Sequence, residues 1–445
     1  MGALCREFLL PENPLRRPCR NERLVIRNPL RLGLRRLGIC SRPAPAASGR
    51  IHLAPSIANP DLFRISARHT FRLLCRRFRR GGGTPLRLGR CRREVREMGA
   101  EHAPHPMSTP IISLRLSVVF VARRSLSNIQ RTLESLLSQT AAPRIELIVS
   151  ADSPKLLREA EDFLAPHARF AQSRFLLHQT KDLAKVRVFS VAETTGDAVA
   201  FIEDHSFPEP NWAEELLAAF EASSDIQAAA PVILNPNPET SLSRVQFAFF
   251  FGYPAKNSPV RPRFENAHRL PQHNTAYRRD ALGEALREDY MLVEAFLQEK
   301  ICSHHPQYRF VLCTHTSIKH VNMSRLCPAM KQALLGGKIF GSIRAKQMEW
   351  GAATRVLRFV LFPLVPLIVT RRCAALLRDK YSSAKTFLNF STAWALQLIH
   401  AFGESIGTCF GMGRAAEQYA DIECDRRRFV RSAERHLLSG RTAPW

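Results

Sequence analysis

The chain has 445 residues, of which 45% are hydrophobic and 23% are charged, so its composition is close to that of globular proteins. These proportions exclude a wholly disordered or fibrous protein, and the length predicts two or three structural units. The net charge of +26 is the outlying value, because such a charge is typical of proteins that bind nucleic acid or an anionic membrane surface.

Much of this charge lies in residues 1–106, which hold 23 Arg, no Lys and 7 acidic residues. The segment is rich in Arg, Pro, Gly and Ser and has no sustained apolar period, so we predict little stable structure there. Three interpretations remain: an organelle transit segment, an arm that binds nucleic acid, or translated upstream sequence before a native start at Met98 or Met107. We favour the last and expect no nucleic-acid partner.

The eleven cysteines lie at irregular spacings and form no CxxC pair. This pattern indicates neither a zinc ribbon nor a disulfide framework. It is typical of reduced thiols in a protein that faces the cytosol.

From Leu114 onward the sequence alternates between strand and helix patterns. Leu114–Val121 is a β-branched apolar run, and in the following predicted helix, Asn128–Gln139, the apolar residues fall on one face. The alternation continues through predicted strands at 145–150, 175–177 and 198–202 and predicted helices at 154–164 and 183–193. Repeated units of this kind predict an α/β fold with a doubly wound, mostly parallel sheet. Ligands of such folds bind at the carboxyl ends of the strands, so we expect the chemistry just after Val149 and Ile202.

After about Ala345 the sequence becomes hydrophobic and basic. Val356–Thr370 is apolar but contains Arg358 and two prolines, and it is shorter than the roughly 20 residues that span a bilayer. Phe387–Phe410 is long enough, yet it contains three polar residues that are costly in a membrane interior. Three arrangements fit: a membrane hairpin, two helices in the membrane interface, or a buried pair that completes a soluble core. We expect membrane association.

The strongest chemical signal follows the strand Ala198–Ile202, which runs directly into Glu203, Asp204 and His205. Two carboxylates and an imidazole can hold a divalent cation, which neutralises a diphosphate as it leaves. Carboxylate ligands suit Mg or Mn, and the imidazole shifts the preference towards Mn. The alternative is a solvated acidic turn before Pro208.

Further blocks accompany this triplet in a fixed order. They are Ser117–Phe120 with the helix end Leu133–Gln139, the strand Glu146–Asp152, the helix with Lys185–Arg187, the segment His273–Leu282, the acidic pair before Met291–Leu297, and His320. Together they resemble family 2 glycosyltransferases over Leu114–Gly411. The resemblance implies a GT-A-type α/β fold with a doubly wound, mostly parallel sheet, followed by C-terminal hydrophobic helices.

The resemblance also implies a nucleotide-sugar donor and names residues for it. Asp152 would bind the nucleobase, Arg187 would pair with the phosphates, and Asp204 would contact the donor. Ala151 and Val188 depart from the family pattern, which puts the ribose contacts in question.

Glu203, Asp204 and His205 stand at the position of the family's DXD metal motif, and the resemblance adds His320 to this metal site. On the acceptor side it implies His273 and Asn274. Asp289 would be the general base that deprotonates the acceptor hydroxyl, with Glu288 as the fallback. The alternative is that these two acids only cap a helix.

We therefore predict four regions: an Arg-rich extension at 1–106, a catalytic domain at 107–345, hydrophobic membrane-associated helices at 346–415, and a basic C-terminal tail at 416–445. The predicted activity is an inverting, metal-dependent hexosyl transfer to a saccharide or lipid-linked acceptor, within polysaccharide biosynthesis at the cytoplasmic face of the inner or plasma membrane. The implied partners are the nucleotide-sugar donor, that acceptor, membrane lipids and a divalent cation, Mn or Mg. The alternative is an inactive glycosyltransferase-like scaffold that binds a nucleotide or saccharide without turnover.

Overall fold

The computed structural model describes residues 113–251, 262–304, 307–379 and 382–439, without the side chains of Glu288 and Arg372. The predicted Arg-rich extension and the starts considered at Met98 and Met107 lie outside the described residues. All statements below concern the described part of the chain.

Nine strands form one mixed sheet in the order β3-β2-β1-β4-β8-β6-β9-β5, and β7 pairs with β9. The strands are β1 Leu116–Ala122, β2 Ile145–Ala151, β3 Gln172–Leu177, β4 Ala198–Ile202, β5 Ser206–Pro208, β6 Ile226–Leu234, β7 Phe264–Ala267, β8 Ala276–Arg278 and β9 Arg309–His320. The doubly wound α/β prediction is confirmed.

One half of the sheet is parallel. β1 pairs in parallel with β2 on one side and with β4 on the other, and β2 pairs in parallel with β3. Every residue of β1, β2 and β4 is buried, which explains why these strands read as nearly continuous apolar runs. Their carboxyl ends meet at one edge of the sheet.

The other half is less parallel than the sequence predicted. β8 lies antiparallel between β4 and β6, while β6 and β9 pair in parallel. β5 and β7 are short strands that pair antiparallel with β9. Short strands such as β8 carry too few residues for a clear periodic pattern, so their direction does not show in the sequence.

Fifteen described α-helices cover the sheet and extend beyond it. They are α1 Leu126–Leu137, α2 Pro154–Leu164, α3 Leu183–Ala192, α4 Trp212–Ala222, α5 Ser241–Phe250, α6 Arg279–Ala285, α7 Glu288–Leu292, α8 Glu294–His304, α9 Leu326–Gln347, α10 Ala352–Leu361, α11 Val365–Arg372, α12 Ala374–Leu377, α13 Ser383–Phe410, α14 Ala415–Glu423 and α15 Arg426–Phe429. Short 3₁₀ helices occur at Ala142–Arg144, Phe362–Leu364 and Ser432–Leu438.

The long helices α9 and α13 pack closely through paired glycines. A Cβ atom added to Gly337 or Gly341 of α9 would lie 2.0 Å from a backbone oxygen of α13. Gly403 and Gly407 of α13 approach α9 in the same way, at 2.2 and 2.0 Å. Only glycine permits such backbone contact, so α9 and α13 pack through faces of small residues.

One described segment, Ala352–Arg371, is long and apolar enough to cross a membrane, by length and composition alone. This segment contains the predicted apolar run Val356–Thr370, which by itself is too short to span a bilayer. The helical segment is longer because it begins four residues before that run. The guanidinium of Arg358 stacks 3.6 Å above the ring of Trp350. This cation–π contact lowers the free-energy cost of placing the Arg358 charge in a membrane.

Residues 416–439, which the sequence analysis predicts to be a basic tail, form a folded segment that returns to the sheet. Gly411 and Gly413 have φ values of +79° and +52°, and these left-handed conformations let the chain turn back after α13. α14, α15 and Ser432–Leu438 follow. Val430 is fully buried with Phe207 and Val321, so this segment completes the core beside β5.

Candidate functional site

The candidate site lies where four parallel strands end. β1, β2 and β3 end in register, so that the residues that follow them, Arg123, Asp152 and His178, stand in one row. β4 pairs with the other side of β1, and Glu203 and Asp204 follow its last residue. The predicted location at the carboxyl edge of the sheet is therefore where these polar side chains gather.

Three ligand-type side chains converge beyond β4. Glu203, His205 and His320 place one ligand atom each within 4.8 Å of the others. Nε2 of His320 lies 3.0 Å from Nε2 of His205 and 3.2 Å from Oε2 of Glu203, while the remaining separation is 3.9 Å. His320 reaches the cluster because it ends β9 and stands opposite Ser206 of β5.

This cluster fits a divalent cation. Metal bonds of about 2.1 Å at right angles separate neighbouring ligand atoms by about 3 Å, close to the separations found here. Oε1 of Glu203 is buried without a hydrogen-bond partner, and so is Oδ1 of the neighbouring Asn274. Buried oxygens are rarely left unpaired, so both atoms are available to a bound ion or its water.

Asp204, which we expected to be a metal ligand, lies outside this group of converging atoms. Its Oδ1 is 2.7 Å from Nδ1 of His205, the ring nitrogen that faces away from His320. A carboxylate bonded to the second nitrogen of a ligating His fixes the orientation and tautomer of the ring. Asp204 therefore positions His205 from behind.

Burial and close pairing shift the pKa of each residue of the triplet. Burial would raise the pKa of Glu203, but His205 and the hydrogen bond from His320 outweigh it and hold this pKa well below its ordinary value. Burial raises the pKa of Asp204 well above its usual range. Burial and the charge of Arg426 hold the pKa of His205 well below its ordinary value.

The C-terminal segment adds an ion pair to the cluster. Nη2 of Arg426 lies 2.9 Å from Nε2 of His205 and donates to Oε1 of Glu423 at 2.8 Å. Gln332 of α9 donates to the other oxygen of Glu423 at 2.8 Å. Both charged side chains are buried. A cavity of about 20 Å³, enough for one water molecule, lies between these side chains and His320.

Asp152, the expected nucleobase contact, lies beside two residues that the sequence analysis missed, Arg123 and His178. Oδ2 of Asp152 accepts from Nε of Arg123 at 3.3 Å and its side chain is 29% exposed. Nη1 of Arg123 is buried without a hydrogen-bond partner among the described residues, and the buried His178 ring lies near the backbone of Thr180 and the Asp152 carboxylate. Burial lowers the pKa of His178, so the ring is neutral and can both donate and accept.

Arg187 is close to the acceptor-side residues. Its Nη1 lies 2.8 Å from Nδ1 of His273, which in turn lies 3.0 Å from Oε1 of the fully buried Glu294. A single Nδ1 cannot accept from Arg187 and donate to Glu294 at once. Burial and Arg187 oppose protonation, but the hydrogen bond and charge of Glu294 raise the pKa of His273, which favours donation to Glu294. Asn274 donates to Oε2 of Glu203 at 3.1 Å. This bond joins Arg187, His273 and Glu294 to the metal cluster, the group formed by Glu203, His205 and His320.

Asp289 faces a different part of the surface. Its Oδ2 lies 2.7 Å from Nζ of Lys346 at the end of α9. The two residues line a cleft of about 440 Å³ together with Tyr290 and Phe296. The side chain of Glu288 lies outside the described part of the structure.

The residues that the sequence analysis missed differ in how visible they were. Glu294 is the one acid in the apolar run Met291–Leu297, a pattern that signals a buried, paired carboxylate. Arg426 gave no signal, because the run Arg426–Arg428 is typical of a solvated surface. His178 was equally hidden, because a single His after a short strand is more often structural.

Residues 117–286 match the family model described as Glycosyl transferase family 2. The chain carries a family 2 glycosyltransferase domain. The match includes Asp152, Arg187 and Glu203–His205 and ends before Asp289. The mixed, doubly wound sheet that holds these residues confirms the GT-A-type fold of the glycosyltransferase domain.

Solved glycosyltransferase structures are also similar to the chain. The crystal structure of GalNAc-T7 with UDP, GalNAc and Mn²⁺ has 14% identity, with 47% of this chain and 44% of that chain covered and a TM-score of 0.36. The mannosyltransferase PcManGT from Pyrobaculum calidifontis, in complex with GDP-Man and Mn²⁺, has 11% identity, 68% and 88% coverage and a TM-score of 0.43. The alignment thus spans less than half of the first of these proteins. A comparison with curated proteins gives no significant match.

Proposed function

We propose that the chain transfers a hexosyl group from a nucleotide-diphosphate sugar to a hydroxyl of a saccharide or lipid-linked acceptor, with inversion and with a divalent cation. The observation that carries the proposal is the convergence of Glu203, His205 and His320 at the carboxyl edge of a family 2 glycosyltransferase domain. Charge neutralisation of the departing diphosphate is the main demand of this reaction.

The cation would be held by Glu203, His205 and His320. When bound, it supplies positive charge to the diphosphate oxygens. Two imidazoles and one carboxylate suit Mn²⁺ better than Mg²⁺, which prefers all-oxygen ligands. Asp204 keeps the His205 ring in position. Asn274 holds the Glu203 carboxylate through the bond to Oε2, which leaves Oε1 unpaired.

Arg123, Asp152 and His178 would recognise the nucleobase. Asp152 can accept from an imide N–H, while Arg123 can donate to the adjacent carbonyl through its unpaired Nη1. Uracil and guanine both offer an N–H beside a carbonyl, so UDP- and GDP-sugars are the donors that this set fits. Arg187 would leave His273 and pair with a phosphate once a donor is bound.

The cleft beside Asp289 would receive the acceptor. Its volume of about 440 Å³ suits a saccharide unit, and Lys346 and Met348 on its wall come directly before the apolar segment Ala352–Arg371. Asp289 would take the proton of the attacking hydroxyl. Glu294 is the second candidate for the base, because it is buried within the network that reaches Glu203.

Membrane association is supported by large apolar side chains that remain exposed. Four of them lie on the helices that follow the catalytic domain, with these exposed fractions: Val360 65%, Leu367 60%, Phe387 74% and Phe410 78%. Such an exposed apolar surface is unusual for a soluble monomer. We place the protein at the cytoplasmic face of a membrane, with a lipid-linked acceptor or a growing polysaccharide as the substrate.

The first test is binding by the full chain in detergent after metal removal with EDTA. We expect UDP or GDP to bind with readdition of Mn²⁺ and at least tenfold more weakly without it. Glu203→Gln should remove the metal dependence, while Glu161→Gln, an exposed acid away from the site, should not. Folded protein that binds neither nucleotide with any metal would refute the proposal.

The second test assigns the base. Asp289→Asn and Glu294→Gln should be compared in kcat and in donor affinity. If Asp289 is the base, its substitution lowers kcat by about 10²- to 10⁴-fold with little change in donor affinity. If only Glu294→Gln does so, the base is Glu294.

The alternative function is an inactive scaffold, and Ala151 and Val188 at two donor positions are the residues that favour it. It requires nucleotide binding without turnover across a broad panel of donors and acceptors. Release of free sugar or transfer to any acceptor would exclude it.

A further inference from the structure

The C-terminal segment brings a buried cation to the metal cluster from outside the family domain. The family match ends at residue 286, yet Nη2 of Arg426 lies 2.9 Å from Nε2 of His205. That nitrogen is one of the three converging ligand atoms. A guanidinium can only donate, so Nε2 of His205 is the acceptor in this contact, and the same nitrogen also lies 3.0 Å from Nε2 of His320.

Arg426 is held there by the packing of the whole segment. Asp421 pairs with Arg123 at 3.4 Å, and the carbonyl of Leu437 accepts from Arg131 of α1. Glu434 accepts from Ser324, which follows β9 closely. Contacts on both sides of Arg426 thus fix the segment over the carboxyl ends of β1 and β4, where the donor nucleotide would lie.

Arg426 and a metal ion compete for the same electron pair. A cation bound to Nε2 of His205 must displace the guanidinium, because Nη2 of Arg426 lies 2.9 Å from that nitrogen. Among the described residues, Nε of Arg426 is buried without a hydrogen-bond partner, so the displaced guanidinium has a donor to offer. The nearest new anion would be the diphosphate bound beside the metal.

We propose that Arg426 is a donor-diphosphate ligand that occupies the metal cluster until metal and nucleotide enter. In this structure it pairs with Glu423 and bonds to His205. With donor bound it turns to the phosphate oxygens, where a guanidinium pairs well with two oxygens at once. The inference rests on the proposed function and adds a phosphate-binding residue to it.

Two affinities of the full chain in detergent should change in opposite directions. In Arg426→Gln, Mn²⁺ alone, measured by electron paramagnetic resonance, should bind on the order of tenfold more tightly, because no guanidinium competes for His205. UDP and GDP with Mn²⁺, measured by calorimetry, should bind about 10- to 100-fold more weakly, the range for one charge-assisted hydrogen bond. The corresponding monophosphates should lose less than the diphosphates. Arg428→Gln, an exposed Arg on the same helix, should change neither affinity.

Arg426→Gln leaves Glu423 without its ion-pair partner, which can destabilise the fold. The double variant Glu423→Gln with Arg426→Gln removes both charges and should show the same opposite changes. If both affinities fall together in the double variant, Arg426 is a structural residue and the inference is wrong. If the unaltered chain binds no nucleotide, the proposed function itself fails.

Discussion

The paired glycines between α9 and α13 allow a sharp test of the fold, because two neighbouring glycines of α9 differ in their surroundings. A Cβ at Gly337 would lie 2.0 Å from the backbone oxygen of His400, whereas one at Gly336 would meet only Cε2 of Tyr419 at 3.5 Å. Gly336→Ala is thus a matched control for Gly337→Ala.

The two substitutions should change the free energy of unfolding in opposite directions. In a helix interior, Gly to Ala stabilises by about 0.5–1 kcal/mol through the unfolded chain and helix propensity, which is the whole expected effect at Gly336. At Gly337 a contact of 2.0 Å must open to about 3.4 Å, so the helices must separate by more than 1 Å. Overpacking of this kind costs about 1–3 kcal/mol or more. Gly337→Ala should therefore be destabilising overall.

Chemical or thermal unfolding in detergent, followed by circular dichroism, measures both variants. We expect Gly336→Ala to be at least as stable as the unaltered chain and Gly337→Ala to unfold at clearly lower temperature. Equal stability of the two variants would show that α9 and α13 do not meet at these glycines.

Three further predictions concern the site and the membrane. Asp204→Ala should weaken Mn²⁺ binding by about 10- to 100-fold, the usual effect of removing the group that orients a ligating His, and unchanged affinity in calorimetry would exclude this role. The raised pKa of His273 gives stability that is present below about pH 6.5 and is lost as pH rises through the folded-state pKa, so His273→Gln should lower the melting temperature more at pH 6 than at pH 8.5. An equal loss at both pH values would contradict that assignment. Val360→Glu with Leu367→Glu should reduce flotation with lipid vesicles while nucleotide binding persists, and undiminished flotation would place the membrane contact elsewhere.

The parallel half of the sheet could be predicted from the sequence because its strands are buried on both faces. β4 and the helix Pro154–Leu164 match their predicted bounds, since a continuous apolar run and a Ser153 cap mark them unambiguously. β8 has three residues and the predicted helix from Met291 to Leu297 is divided between α7 and α8. Local pattern does not determine such short elements, because contacts from distant residues decide them.

The candidate site divides in a similar way. The sequence could indicate Glu203 and His205 together, because both directly follow the end of β4. His320 was suggested by resemblance, and its distance from His205 follows only from the pairing of β5 with β9. Arg426 could not be found, because 221 residues separate it from His205 and nothing in its neighbourhood distinguishes it from a solvated Arg.

The return of the C-terminal segment sets the order in which the protein becomes complete during synthesis. Residues 415–438 follow α9 and α13 in the chain, so they reach the strand ends only after both helices have been made. Until then His205 lacks Arg426, and the core beside β5 lacks Val430. A ribosome-bound chain that has finished its family domain therefore has an incomplete candidate site. The helices with the exposed apolar side chains emerge before that site is closed, so under the proposed function delivery to a membrane can precede donor binding.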